Sequence, residues 1–480
     1  MKRFLTILMA AVLIVPSFGQ KAEKGRTREV IILHVNDMHA RIDDMPKLAY
    51  LTDSLRKLHR FVFLVSAGDN FTGNPVVDMV ADKGFPMIDL MNRCGFDVSA
   101  VGNHEFDLGQ EMLNRRFKQA RFPFISANID SRETVLKQPR PIKVLKAGCG
   151  NRLALLGIIQ RGDNGLPDSH PDKLKGIIFT DGLQKAKEFD WLKEEYGNFI
   201  ALTHLGIETD TILARVVPDI DLIMGGHSHT LMDPPIMVGD VMITQAGYGL
   251  RYIGKTTLQM RKGKVLAKKD EIIVVKYLKK ADPKVQKLVD QYNDNPEFKE
   301  VLATAETAFS NEEELGCMMT DALTTQLKVD FAFQNVGGIR IKSLPAGNIT
   351  LQDVYRIDPF GNQVVVYTMN AAQVAGLICN AYNRLKEHDL MVSGMTYTIK
   401  TGQDGSCAEV WMKDMMGKPL DQQRTYTVAM NSYMAATYKF DSQDKGKTLD
   451  SNCSDQLIQF LKAKKSVNYS GCSRIAVSKP

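Results

Sequence analysis

Between Val30 and about Val275 the chain repeats one pattern: a short run of β-branched or aromatic residues, a polar or glycine-rich turn, then a mixed or helical stretch. The runs are Val30–Val35, Phe61–Ser66, Val98–Val101, Leu153–Ile159, Phe199–Thr203, Asp221–Met224 and Val241–Gln245. Continuous apolar runs of this length suit strands covered on both faces, so the pattern predicts α/β layering. From Asp282 to Ala305, Pro283 stands near the start and Val285, Leu288, Val289 and Tyr292 recur at helical spacing. This predicts a helix leaving the first unit, with Pro296 as a candidate break. A second unit opens near Glu313 with an amphipathic helix through Leu327, followed by strand-like Phe331–Phe333, Val364–Tyr367, Met395–Ile399 and Tyr426–Met430. Mixed helices and strands there predict a separate, smaller α+β domain.

A length of 480 residues accommodates two or three domains, and 44% hydrophobic with 24% charged residues is the balance of a globular chain. Lys2 and Arg3 precede an apolar run from Phe4 to Val15, too short to span a bilayer but suited to a secretory leader cut after Gly19. The first cysteine is Cys94, so no lipid-anchor cysteine follows that run, and no later run reaches spanning length. A leader over residues 1–19 and a periplasmic or secreted chain without a membrane span are expected. The net charge of +6 falls by two if Lys2 and Arg3 leave with the leader, which is too weak a balance to argue for nucleic acid. Seven cysteines leave at least one without an intramolecular partner. Cys453 and Cys472, in the polar C-terminal tail, form the expected bridge. No two cysteines make a CxxC pair, which argues against a zinc-thiolate site or a thioredoxin-like redox role.

The candidate chemistry lies just beyond the apolar runs. Five of them lead into Asn36-Asp37-Met38-His39, Gly68-Asp69-Asn70, Gly102-Asn103-His104-Glu105-Phe106-Asp107, Thr203-His204-Leu205-Gly206 and Gly225-Gly226-His227-Ser228-His229. Open α/β sheets collect their ligands at that edge. Carboxylates with imidazoles suit borderline divalent metals such as Zn²⁺ or Mn²⁺, whereas an all-oxygen set would suit Mg²⁺ or Ca²⁺. His34, inside the first strand, is left out of the ligand set. Each motif alone has a plainer reading, as a turn or a structural histidine. Their joint occurrence at successive strand ends argues for a metal centre.

These motifs resemble the calcineurin-like metallophosphoesterases, and the second unit narrows the resemblance to the 5′-nucleotidase family. The narrowing signatures are Glu314-Leu315-Gly316, Asn335-Val336-Gly337-Gly338-Ile339-Arg340 and Asp358-Pro359-Phe360-Gly361-Asn362. The resemblance implies a four-layer α/β metallophosphoesterase sandwich over residues 28–280, a linker helix over 281–305 and a substrate-binding α+β domain over 306–480. It also implies two divalent metal ions, Zn or Mn. Asp37, His39 and His229 would bind one of them, Asn103, His204 and His227 the other, and Asp69 would bridge both. His229 stands where bacterial members often carry Gln. His104 with Asp107 would form the catalytic pair.

Gly338 beside Arg340 makes a tight turn presenting a guanidinium, suited to bidentate contact with phosphate or carboxylate; a surface ion pair is the plainer reading. A further family arginine is replaced by Leu344, for which Lys342 is a partial substitute. The family's two-ring nucleobase clamp has no aromatic at Asp389-Leu390-Met391. Tyr438 or Phe440 could supply one stacking face, with core packing as the alternative. The expected activity is hydrolysis of nucleotide phosphate esters, nucleoside 5′-monophosphates foremost, with a small-molecule nucleotide as the partner. Alternatives are hydrolysis of nucleoside diphosphate sugars or 2′,3′-cyclic nucleotides, thiosulfohydrolysis, and nucleotide or metal binding without catalysis.

Overall fold

A computed structural model describes residues 27–479, so the expected leader lies outside the described residues. Two six-stranded sheets face one another. In the first, Arg28–Val35, Val62–Ser66, Val98–Ala100 and Phe124–Ile125 run parallel, and the hairpin Tyr252–Arg261/Lys264–Val274 is added antiparallel at one edge. In the second, Val241–Thr244, Leu222–Met224, Ile200–His204 and Arg152–Ile159 are parallel, flanked by antiparallel Ile236–Val238 and Ile142–Lys146.

The two-residue period of a strand explains the layering. Val30 and Ile32 point between the sheets, where they meet Val65, Leu155, Leu202 and Met224. Leu33 and Val35 point the other way, under the helices Met45–Leu58, Phe85–Cys94 and Gln110–Gln119. On the second sheet Leu156, Ile158, Ala201 and Ile223 face outward beneath Gly182–Lys187, Trp191–Tyr196 and Ile207–Val216. The result is helix, sheet, sheet, helix: the α/β layering expected from the apolar runs, in the four-layer form that the family resemblance implies.

The second unit is built on a five-stranded sheet ordered Leu390–Ser393, Phe331–Asn335, Thr425–Asn431, Gln363–Asn370, Lys447–Asn452. Helices Glu312–Leu327, Ala371–Leu385 and Cys453–Lys464 pack with it, giving the smaller α+β unit. Among the described residues, no helix is long and apolar enough to cross a membrane.

Two expectations are corrected. The helix read over Asp282–Ala305 stops at Asn293; Pro296–Lys299 is a 3₁₀ turn, and Val301–Ala305 is a strand paired with Gly347–Thr350 and Ser466–Val467. Pro296 lacks the N–H that a helix needs and disfavours helical backbone at Asn295. The bridge is Cys379–Cys407, not Cys453–Cys472. Cys453 is buried among Leu323, Ala332, Val364 and Ala429, while Cys472 lies in a tail that Arg474 ties to Asp321 at 2.7 Å.

At the start of the shortened helix Asp282 accepts hydrogen bonds from the Lys284 and Val285 amides, both at 2.9 Å. Asp282→Ala should cost about 1 kcal/mol, the usual value of a lost N-cap, read as a lower urea midpoint at unchanged slope.

Candidate active site

Each candidate ligand sits at or just beyond a strand end. Arg28–Val35 leads into Asp37 and His39, Val62–Ser66 into Asp69, and Val98–Ala100 into Asn103 and His104. His204 ends its strand, and Leu222–Met224 leads into His227 and His229. The turns are tight. Asp37, His39, Asp69, His227 and His229 all have left-handed backbone, with φ of 49°, 47°, 54°, 78° and 55°. Gly226 is needed because a side chain there would meet His204 Nδ1 at 2.9 Å and the Ala67 carbonyl at 3.0 Å.

The structure brings these residues together. Asp37, His39 and His229 offer ligand atoms within 4.8 Å of one another, as do Asp37, Asp69 and His204, and also His39, Asp69 and His104. The groups overlap through Asp37, Asp69 and His39, which is the layout of two adjacent cation positions. His204 Nδ1 donates to the Ala67 carbonyl at 2.8 Å, which turns Nε2 toward Asp69 Oδ2 at 3.0 Å. Asn103 donates its amide N–H to the Asp168 carbonyl, leaving Oδ1 facing His204 Nε2 at 3.2 Å and His227 Nδ1 at 3.1 Å. His39 and His229 present Nε2 to Nε2 at 2.9 Å.

Three of the four candidate ligand imidazoles are held neutral, whereas at the fourth, His204, burial is outweighed by Asp69 and then Asp37, which raise the pKa to about 10. Burial, then Arg340, lowers His39 well below the ordinary imidazole value and lowers His229 to about 3. Burial, then His204, lowers His227 to about 4. Neutral imidazoles offer lone pairs. Burial opposes charge on Asp69 as well, but His204 and His104 hold its carboxyl well below the usual range. The donor set is therefore consistent with a dinuclear metal centre.

His104 Nδ1 is 2.6 Å from Asp107 Oδ2, and its Nε2 is 4.0 Å from Asp69 Oδ2. Burial favours a neutral ring, but Asp107 and Asp69 outweigh it and raise the His104 pKa.

With this geometry in place, two family profiles match the chain: calcineurin-like phosphoesterase over residues 30–231, and 5′-nucleotidase, C-terminal domain over residues 295–440. The chain belongs to the 5′-nucleotidase family. It is 28% identical to a Vibrio cholerae 5′-nucleotidase over 87% of this chain and 86% of that one. It is 26% identical to the trifunctional nucleotide phosphoesterase protein YfkN of Bacillus subtilis over 85% of this chain, and spans only 32% of that relative's length. The crystal structure of a 5′-nucleotidase precursor from Thermus thermophilus superposes with a TM-score of 0.83 at 26% identity, over 94% of this chain and 99% of that one.

In this member of the family a cavity of about 290 Å³ joins the metal-binding edge to the second unit. Arg340 and Gly338 line it, and Arg340 Nη2 lies 3.0 Å from His39 Nε2. Tyr438 also lines it; its hydroxyl donates to Asp389 Oδ2 at 2.5 Å, and the Arg384 guanidinium lies 4.4 Å from its ring centre. The structure does not bring Phe440 to the cavity, since its ring meets Tyr367 edge-on at 5.2 Å. Lys342 lines a different chamber from His104.

Several lining and supporting residues escape a reading by sequence. Phe360, Asn362, Arg384, Asp389 and Tyr433 line the cavity. Phe360 and Asn362 lie in a recognised motif, which was the available signal for them. Glu105 accepts from the Asp69, Asn70 and Gly102 amides at 2.9, 2.7 and 2.6 Å, clamping two ligand loops together. Asn36 donates to Asp37 Oδ2 at 2.6 Å and fixes that carboxylate.

Proposed function

We propose that this chain hydrolyses phosphate esters of nucleotides, nucleoside 5′-monophosphates foremost. The observation that carries the reading is the overlap of the Asp37, Asp69 and His39 ligand groups beside the His104–Asp107 pair, at the floor of a cavity walled by Arg340. Asp37, His39, Asp69, Asn103, His204, His227 and His229 would hold two divalent cations, zinc or manganese. Such a pair supplies an acidified water and neutralises phosphoryl oxygens.

The chain's own groups perform the rest. Asp107 keeps the His104 ring oriented and cationic, so Nε2 faces the cavity with a proton for a phosphoryl or leaving oxygen. Arg340 closes the opposite side with a guanidinium suited to a phosphoryl group. The second unit thereby holds the ester while the first supplies the reacting groups. Export to an oxidising compartment belongs to the same reading, and the Cys379–Cys407 bridge supports it.

Turnover of AMP, UDP-glucose, a 2′,3′-cyclic nucleotide and an aryl phosphate, each with and without chelator, tests the assignment. AMP should give the highest kcat/KM, and chelation should abolish all four activities. Chelator-resistant turnover, or turnover of none of the four, would overturn it. Arg340→Ala should raise KM for AMP about tenfold or more, the effect of losing charge-assisted hydrogen bonds. Tyr438→Ala should raise it less, because one ring face is already covered by Arg384. Initial-rate kinetics on the two variants checks the order.

A further inference from the structure

Behind Arg340 and His39 the cleft opens into a second chamber of about 720 Å³, within the range of small-molecule sites. Arg41, Arg251, Arg356 and Lys342 line it together with Arg340. Among the described residues, Arg41, Arg251 and Arg356 form no ion pair and no side-chain hydrogen bond. Most of the neighbouring carboxylates are engaged elsewhere. Asp353 closes a capping box with Thr350, Asp44 pairs with Lys47 at 2.8 Å, and Asp43 accepts from Asn293 at 2.9 Å. Glu312 alone is unengaged, in the first turn of its helix.

Three guanidiniums without hydrogen-bond partners, gathered along one partly buried chamber, repel one another even with carboxylates nearby. A bound anion would relieve that repulsion. The chamber also abuts the reacting centre. Arg251 lies 4.4 Å over the Tyr248 ring, and Tyr248 stacks on His229 with centroids 4.9 Å apart.

We propose that this chamber is a second oxyanion site, in which Arg41, Arg251 and Arg356 receive a phosphoryl group. Guanidinium forks match the paired oxygens of phosphate, and the chamber that these arginines line is large enough to admit such a group. The phosphoryl group has two sources: inorganic phosphate released next door, or a second phosphoryl group on a substrate whose first is held at Arg340.

The probe is inorganic phosphate, measured by equilibrium dialysis against the full chain with metal and after chelation. Chelated wild-type protein should still bind about one phosphate per chain. Arg251→Gln/Arg356→Gln should weaken that binding about tenfold or more, and Arg251→Lys/Arg356→Lys should restore part of it, which separates lost charge from a misfolded chamber. Chelated wild-type protein that binds no phosphate, or a Gln pair that binds as wild type does, would overturn the proposal. Because the readout needs neither metal nor turnover, its failure is distinct from failure of the hydrolase reading.

Kinetics then separates the sources. A KM rise of about tenfold in the Gln pair, confined to a nucleoside 3′,5′-bisphosphate and absent with the 5′-monophosphate, assigns the chamber to a substrate group. Equal KM values with weaker inhibition by phosphate assign it to the released product.

Discussion

Asp69→Ala should empty the site of metal and abolish hydrolysis of every ester tested. Its carboxylate belongs to two of the overlapping ligand groups, lies 3.0 Å from His204 Nε2 and accepts the His104 amide at 2.9 Å. Among the described residues, no other carboxylate reaches both sides of the centre in this way except Asp37, which burial and then Asp69 itself push up to about 7 against the pull of His204. Alanine also tolerates the left-handed backbone at this position poorly, with φ of 54°. Asp69→Asn is the better-controlled variant, since asparagine accepts that backbone and differs chiefly in charge. Metal analysis of both variants, beside kcat on an aryl phosphate, is the measurement. Full metal content with wild-type kcat in Asp69→Asn would remove Asp69 from the centre.

The second large effect is expected at His104. His104→Ala should lower kcat by about 10²–10⁴-fold while metal content stays unchanged, as for a general acid or charge stabiliser. Its partner gives a signed pH test. Burial favours the neutral ring, but Asp107 and Asp69 together outweigh it and raise the His104 pKa, so the cation persists to higher pH than an ordinary imidazole. Asp107→Asn weakens that hold, and the basic limb of the pH–rate profile should move to lower pH. A limb that stayed in place, or moved up, would mean that another group sets it.

The metal-binding edge was legible because two simple signals coincide there: apolar runs long enough for buried strands, and Asp, Asn or His immediately after them. Roles that depend on distant partners were not legible. Glu105 stands inside a recognised motif, yet its work is to accept amides from Asp69 and Asn70, some 35 residues earlier. Arg384 carries no signal in the sequence, and Asp389 drew notice only as a clamp position without an aromatic, until the fold sets both around Tyr438. The edge hairpin was missed for a related reason. Tyr252–Arg261 and Lys264–Val274 mix lysines with apolar residues, as a half-exposed strand pair does, and Asp270 becomes a core residue only where it meets His34 at 3.0 Å. Cysteine pairing followed tertiary proximity of the Ala371–Leu385 helix to the Cys407–Asp414 strand, which polarity of the tail does not report.

The left-handed turns at Asp37, His39, Asp69, His227 and His229 set conformational preference against chemistry. A residue with a Cβ in that region is disfavoured by about 1 kcal/mol or more, and glycine is not. Selection for thermal endurance alone would drift these five positions toward glycine, and each such step would harden the fold while dismantling the reacting centre. The locally least favoured backbone of the sandwich is therefore also its working part.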